Sequence, residues 1–223
     1  MSEARTALVL GATGLVGGLC LERLLADAAW ERVTALGRRP TGRTHPRLVE
    51  VVADFDQLDV QADAFAATDV FCCLGSTIRK AGSQAAFYRV DHDYPVAAAK
   101  LASEHGARRF LIVTALGGNP GSRVFYNQVK GEVERDVSAL PFEGVAILRP
   151  SLILGPRDER RRAEALAQKL APLAAPLLWG PLRKYRAIRA ERVAGAMVRL
   201  AREGFRGVRI LESDEIERVG RGA

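Results

Sequence analysis

A glycine-rich turn near the amino terminus constrains the fold of this chain more than any other feature. It follows the apolar run Thr6–Leu10 and reads Gly-Ala-Thr-Gly-Leu-Val-Gly. Glycine permits the tight turn, the close approach of backbone to a pyrophosphate and the packing of a helix against a strand. The N–H groups and the positive end of the following helix then hold the phosphates. The turn predicts a dinucleotide site formed by Gly11, Thr13, Gly14, Leu15, Val16 and Gly17.

The spacing of these glycines is G-x-x-G-x-x-G, whereas many dinucleotide sites use G-x-G-x-x-G. A Walker A loop is excluded because no Gly-Lys-Ser/Thr sequence follows. A glycine-rich turn can also arise for backbone reasons alone. Its place between the first strand and the first helix favours dinucleotide binding.

Short β-rich runs alternate with stretches of helical spacing along the chain, the pattern of βαβ units. The candidate strands are Thr6–Leu10, Arg32–Leu36, Leu48–Val52, Asp69–Cys73, Arg109–Val113, Gly144–Leu148 and Val208–Leu211. The candidate helices are Val16–Ala26, Tyr94–Glu104, Asn127–Leu140 and Glu191–Arg202. The sequence predicts an α/β protein with a Rossmann-type, doubly wound parallel sheet of about seven strands.

The 223 residues are expected to form one domain, 1–223, with a small C-terminal insertion at 151–189. This insertion is basic, rich in Ala and Leu and interrupted by Pro, and we place it over the carboxyl edge of the sheet. Its apolar stretch Leu166–Leu182 predicts a substrate lid or a subunit contact, with core packing as the alternative. The sequence therefore leaves open whether the protein forms a homodimer.

The net charge, the lack of targeting segments and the spacing of Cys and His limit the partners, the compartment and the metals that the sequence predicts. The net charge of +7 comes without a nucleic-acid motif, so a solvated basic surface is favoured over nucleic-acid binding. Neither a signal segment nor a membrane span is recognisable, which predicts a cytoplasmic protein. The three cysteines and three histidines show no metal-ligand spacing, so no metal is expected and the cysteines are interpreted as core residues.

Two arginines follow the second candidate strand, where an NAD-preferring site normally carries an acidic residue. Arg38 and Arg39 suit the 2′-phosphate of NADP, because guanidinium groups bind phosphate in a bidentate manner. The sequence therefore favours NADP over NAD. A solvated basic turn is the alternative interpretation.

Tyr126 and Lys130 lie four residues apart, hence on one face of a helix. A nearby ammonium stabilises a phenolate, which makes the tyrosine a better general acid/base near neutral pH. A Tyr and a Lys at this spacing are often plain surface residues. Their place after the fifth strand of a Rossmann pattern favours a catalytic pair.

The combination of motifs resembles the atypical short-chain dehydrogenase/reductase family, in the branch of the Tat-interacting oxidoreductase-like proteins. The resemblance covers nearly the whole chain. It rests on the stretches Gly11–Gly18, Phe71–Thr77, Tyr88–Asp91, Phe125–Glu134 and Leu148–Ser151.

The resemblance implies NADP binding, with Asp54 near the adenine and Leu74 and Gly75 lining the cofactor. It also implies that Lys130 binds the nicotinamide ribose and that Pro150 and Ser151 border the nicotinamide. One departure is Thr114, which stands at the end of the fifth strand where the family usually has Ser. Thr114 keeps a hydroxyl for a substrate carbonyl, but its β-branch restricts the rotamer, so it is the least secure of the predicted catalytic residues.

Three functions follow from this reading. The leading one is an NADP(H)-dependent oxidoreductase that reduces a small carbonyl substrate, with Tyr126 delivering the proton. The second is a non-catalytic NADP(H)-binding protein with a redox-sensing or partner-binding role, because a fold alone does not imply chemistry. The third is epimerase or dehydratase chemistry with a tightly held cofactor, which the same pair could support.

Overall fold

The computed structural model describes residues 5–155 and 180–221. The strands in these ranges are β1 (Arg5–Leu10), β2 (Trp30–Gly37), β3 (Leu48–Val52), β4 (Asp69–Cys72), β5 (Arg109–Val113), β6 (Gly144–Arg149), β7 (Ile153–Leu154), β8 (Ile188–Arg189) and β9 (Gly207–Glu212). The α-helices are α1 (Leu15–Ala26), α2 (Ile78–Ala81), α3 (Gln84–Tyr88), α4 (Tyr94–Glu104), α5 (Phe125–Ser138), α6 (Ala190–Glu203) and α7 (Ser213–Gly220).

Seven parallel strands form one sheet in the order β3-β2-β1-β4-β5-β6-β9. The chain moves outward from β1 to β3 and then returns to place β4 on the other side of β1. This reversal is a topological switch point, and in open α/β sheets ligands bind outside the carboxyl ends of the strands there. The predicted fold class is confirmed.

Alternate side chains of the strands feed two apolar layers. On one face Val9, Leu111 and Leu148 pack with residues of α1, α6 and α7, including Leu21 and Met197. On the other face strand residues pack with α4, α5 and the 3₁₀ segment Phe55–Phe65; Leu10, Ile112, Phe65, Ala98 and Val133 are members of that layer. Because both faces are covered, the central strands are buried on both sides, as parallel sheets require.

The predicted strands all occur, and no end shifts by more than two residues. The predicted helix Asn127–Leu140 begins two residues earlier, at Phe125, so that Tyr126 lies in its first turn. The short strands β7 and β8, the helices α2, α3 and α7, the π turn Arg89–Asp93 and the 3₁₀ segments were not predicted.

The insertion is described only at its two ends. There β7 pairs with β8 as a separate two-stranded parallel sheet beyond the end of β6. The apolar stretch Leu166–Leu182, predicted to be a lid or a subunit contact, lies outside the described residues except for its last three. Among the helices that are described, none has the length and apolar character needed to cross a membrane.

Candidate functional site

The turn between β1 and α1 has a geometry that only glycine permits at two positions. Gly11 has a φ of +81°, and a Cβ there would lie 2.7 Å from the carbonyl oxygen of Cys73. A Cβ on Gly17 would lie 2.2 Å from the carbonyl oxygen of Gly11. The N–H of Gly14 donates to that same oxygen at 2.9 Å, which closes the turn. The backbone thus forms an open cradle at the start of α1, of the kind that accepts a pyrophosphate.

A cleft of about 430 Å³ opens from this cradle at the switch point between β1 and β4. It lies where the fold predicts a ligand, and Phe55, Cys73, Val90 and Tyr94 form part of its wall. The predicted cofactor residues that line it are Gly11, Thr13, Gly14, Arg38, Arg39, Leu74 and Gly75.

A second cleft of about 470 Å³ lies on the outer side of the same turn, lined in part by Leu15, Arg39 and Arg43. Arg38 and Arg39 are exposed. Among the described residues that line either cleft, none is acidic. The two clefts therefore present cationic and polar groups beside the cradle, which suits an anionic ligand.

Two predicted cofactor residues have structural roles in this arrangement. The carboxylate of Asp54 accepts a hydrogen bond from the N–H of Asp56 at 3.0 Å and caps the 3₁₀ segment that follows β3. Asp54 is exposed and neighbours Phe55, which lines the cleft. Val16 is buried in the core between α1 and the sheet.

Tyr126 and Lys130 occupy successive turns of α5. The ring of Tyr126 packs on Phe87 of α3 with 5.5 Å between ring centroids. Lys130 is only 4% exposed, and its Nζ lies 2.8 Å from Oδ1 of Asp91. A Cβ on Gly75 would lie 3.9 Å from that Nζ, so the ammonium reaches the wall of the cleft at Gly75.

Asp91 is a site residue that the sequence reasoning missed. It belongs to the π turn Arg89–Asp93 and is 1% exposed. Its Oδ2 accepts a hydrogen bond from the N–H of Ser76 at 2.8 Å. Burial raises the pKa of Asp91, and the neighbouring Lys130 opposes that rise. The sequence analysis includes Asp91 only as the last residue of the stretch Tyr88–Asp91 that carries the family resemblance, and the burial that demands a paired cation is visible only in the structure.

The hydroxyl of Thr114 does not point at an open cleft. It donates to Oε1 of Glu134 at 2.6 Å, and Thr114 is buried. The two carboxylate oxygens of Glu134 also share the N–H of Arg149 Nε, at 3.1 and 3.0 Å, and Glu134 is itself buried. The three side chains tie β5, α5 and β6 together, and this geometry gives no support to the expected contact between Thr114 and a substrate carbonyl.

Pro150 and Ser151 lie at the carboxyl end of β6. The carbonyl oxygen of Pro150 accepts the N–H of Leu116 at 2.9 Å. The hydroxyl of Ser151 donates to the carbonyl oxygen of Arg186, and its N–H donates to the hydroxyl of Ser213 at 2.6 Å. Ser151 therefore joins the end of β6 to the returning end of the insertion.

Two of the three cysteines, Cys20 and Cys72, are buried in the core, and the third, Cys73, is partly buried at the cleft. Burial raises the pKa of Cys72 to about 12. Cys73 lines the cleft, and its thiol, with a pKa well above the usual value, contacts Cys20 and Met197. Within the described ranges no group of three or more His, Cys, Asp or Glu side chains could hold a metal ion.

Comparison with known proteins now decides the family. The NAD(P)H-binding family matches residues 11–140. Protein HTATIP2 of Rattus norvegicus is 39% identical over 171 residues, which cover 75% of this chain and 70% of that protein. Protein FMP52, mitochondrial, of Eremothecium gossypii is 40% identical over 158 residues, which cover 70% of each chain.

This chain belongs to the NAD(P)H-binding family. The predicted resemblance to the Tat-interacting oxidoreductase-like branch is confirmed. Among solved structures, the Bordetella bronchiseptica enzyme WbmH in complex with NAD+ matches with a TM-score of 0.71 and 14% identity, over 98% of this chain and 80% of that one. MoeE5 in complex with UDP-glucose and NAD matches with a TM-score of 0.69 and 17% identity, over 97% and 81%. At these identities the structures support the Rossmann-type fold of the family alone.

The prediction of a cytoplasmic protein is wrong by the same comparison. The fungal relatives that match this NAD(P)H-binding protein are named mitochondrial, in Eremothecium gossypii, Emericella nidulans and Candida glabrata. The prediction rested on the lack of a recognisable signal segment, and such a lack does not specify a compartment.

Proposed function

We propose that this protein is an NADP(H)-dependent oxidoreductase that reduces a small carbonyl substrate, with Tyr126 and Lys130 as the catalytic pair. The observation that supports this most is the place of Lys130, whose ammonium reaches Gly75 in the wall of the cleft that opens from the glycine cradle. Tyr126 lies one turn earlier on the same helix. The lack of a Cβ at Gly11 and Gly17 lets the turn pack closely against the backbone of Cys73 and lets the start of α1 pack on the turn, which is the geometry of a pyrophosphate site.

Residues on both sides of the cleft would hold the dinucleotide. Arg38 and Arg39 would hold the 2′-phosphate, Asp54 would lie near the adenine, and Leu74 and Gly75 would line the cofactor. Lys130 would bind the nicotinamide ribose, with Pro150 and Ser151 at its border. When bound, the cofactor supplies the hydride that reduces the carbonyl carbon.

Tyr126 would donate its phenolic proton to the carbonyl oxygen as that oxygen gains negative charge. The ammonium of Lys130 would favour the phenolate left behind, and solvent would return the proton. The insertion at 151–189 would complete the substrate side of a single domain. Its modest length favours a small substrate.

The preference for NADP has a direct test. Arg38 and Arg39 are exposed beside the cradle, and no acidic residue of the described lining competes for a ribose hydroxyl. We expect NADP+ to bind at least about tenfold more tightly than NAD+, because one charge-assisted hydrogen bond contributes that much. Calorimetric titration of both cofactors measures it. In the Arg38→Gln/Arg39→Gln variant the two affinities should converge, and a wild-type preference for NAD+ would contradict the assignment.

The catalytic pair is tested by two substitutions. Tyr126→Phe keeps the ring but removes the proton, so turnover of a carbonyl substrate should fall by about 10²-fold or more. NADP+ affinity should stay nearly unchanged. Lys130→Met should lower both turnover and affinity. Full activity of Tyr126→Phe on a substrate that the wild-type protein reduces would show that the mechanism is wrong.

A second candidate function is cofactor binding without turnover. It is favoured by two observations: Glu134 holds the hydroxyl of Thr114, and Asp91 holds the ammonium of Lys130. A panel of aldehydes and ketones with NADPH, followed by loss of nicotinamide absorbance, separates the two functions. Tight NADPH binding with no loss of absorbance on any compound favours the binding protein.

A further inference from the structure

We propose that Asp91 is a positioning residue that holds the ammonium of Lys130 and the loop after β4 in the arrangement that the nicotinamide half of the cofactor needs. The inference rests on the proposed function, because Lys130 is taken to bind the nicotinamide ribose.

Asp91 stands at an unusual point of the backbone. The segment Arg89–Asp93 is a π turn between α3 and α4. Such turns are rare inside helical segments and are frequent at functional sites. Val90 and Tyr94, on either side of Asp91 in sequence, both line the cleft. The π turn therefore belongs to the cofactor cleft, and Asp91 is its buried acid.

The two oxygens of Asp91 have different partners. Oδ1 lies 2.8 Å from Nζ of Lys130, and Oδ2 accepts the N–H of Ser76 at 2.8 Å. A Cβ on Gly75 would lie 3.5 Å from Oδ1, so the cleft-lining backbone lies directly on the ion pair. One carboxylate thus sets the relative position of the loop at Gly75 and Ser76 and of the lysine on α5.

Stability alone does not account for a pair of charges at this place. Removing two charges from water is costly, and replacing a buried ion pair by apolar residues is often neutral or stabilising. An ammonium has three N–H donors, and the contact with Asp91 leaves the others for a ligand. The pair therefore presents an oriented donor at the wall of the cleft, with its charge compensated when no ligand is bound.

The experiment compares the whole dinucleotide with its adenylate half. NADP+ and adenosine 2′,5′-bisphosphate are titrated by calorimetry into the wild type, into Asp91→Asn and into Asp93→Asn. Asp93 is in the same π turn, but its carboxylate is half exposed and contacts His92, so it provides a matched control. We expect Asp91→Asn to weaken NADP+ binding by about tenfold or more, the effect of one lost charged contact, while the bisphosphate changes by less than about twofold. Asp93→Asn should change neither.

A double-mutant cycle with Lys130→Met tests whether Asp91 acts through Lys130. In the Lys130→Met background the further change Asp91→Asn should leave NADP+ affinity unaltered. This double variant has no buried charge at the site, and it keeps the test available if Asp91→Asn alone fails to fold.

Three results would overturn the inference: NADP+ affinity unchanged in Asp91→Asn, parallel weakening of NADP+ and of the bisphosphate, or additive effects in the cycle. The readout is binding, so it is independent of turnover. If no carbonyl compound is reduced, the proposed reductase fails while the role of Asp91 can stand. If a carbonyl compound is reduced but Asp91→Asn does not change NADP+ affinity, the proposed reductase stands and the role of Asp91 fails.

Discussion

Two buried acidic residues determine how the predicted catalytic side chains are held. Asp91 pairs with Lys130, and Glu134 pairs with Arg149 while it accepts the hydroxyl of Thr114. A buried carboxylate is tolerated only with such partners, so each acid fixes the groups around it. At the scale of residues, Lys130 is held at the cleft, whereas the hydroxyl of Thr114 is directed into the core.

Thr114→Val tests the consequence of this difference. Valine has nearly the shape of threonine but cannot donate to Glu134, so the free energy of unfolding should fall by about 1–2 kcal/mol, the effect of one buried hydrogen bond. Turnover should fall by less than about tenfold, compared with about 10²-fold for a lost catalytic group. Urea unfolding and steady-state kinetics measure the two effects.

Thr114→Ser is the matched control, because it keeps the hydroxyl and removes one methyl group. It should retain the hydrogen bond to Glu134 and wild-type turnover. A drop in turnover of about 10²-fold in Thr114→Val, with turnover retained in Thr114→Ser, would restore the catalytic role that the sequence predicts for Thr114.

The sequence identifies site residues when their requirement is local. Gly11 and Gly17 belong to one tight turn, and Tyr126 and Lys130 lie about one helical turn apart on one helix. Both patterns can therefore be recognised from the spacing of residues in the sequence. The partners of Lys130 and Thr114 come from other elements. Nothing near Asp91 or Glu134 in sequence specifies which cation or hydroxyl will face it, because packing of distant segments decides that.

At the scale of elements, the central strands were predicted because they carry largely apolar runs, which burial on both faces demands. α5 was predicted from its apolar spacing, but its first turn was not: Phe125 and Tyr126 pack on Phe87 of α3, a contact that helical periodicity does not contain. The π turn Arg89–Asp93 was missed for the same reason. It departs from the 3.6-residue repeat, and only its surroundings fix it.

At the scale of the whole molecule, the two edges of the sheet have different tasks. The cleft that opens from the glycine cradle lies at the carboxyl edge of the sheet, whereas a charged cluster lies at the amino edge. There Asp69 of β4 is fully buried and accepts hydrogen bonds from Arg5 at 2.8 Å, from Trp30 at 3.1 Å and from Arg109 at 2.5 Å. Arg5 also donates to carbonyl oxygens near the end of α6. The cluster joins β1, β2, β4, β5 and α6 far from the glycine cradle.

Asp69→Asn should therefore lower stability without weakening cofactor binding. Removing one partner of a buried charged cluster costs about 3 kcal/mol, because it leaves the cations uncompensated. For a chain of this size that corresponds to a fall in Tm of about 6–12 °C. A cofactor at about 100 times its Kd stabilises the folded state by about 2.7 kcal/mol, and at a fixed cofactor concentration this increment changes only if Kd changes.

Thermal unfolding of the wild type and of Asp69→Asn, each with and without NADP+, measures both the loss of stability and the stabilisation by NADP+. The variant should melt lower in both conditions, and the rise in Tm on adding NADP+ should be the same in the two proteins to within about 2 °C. Lys130→Met provides the contrast, because it should reduce the rise in Tm that NADP+ causes. If Asp69→Asn abolished that rise while the protein stayed folded, the amino edge would be coupled to the cleft and the division of tasks between the two edges would be wrong.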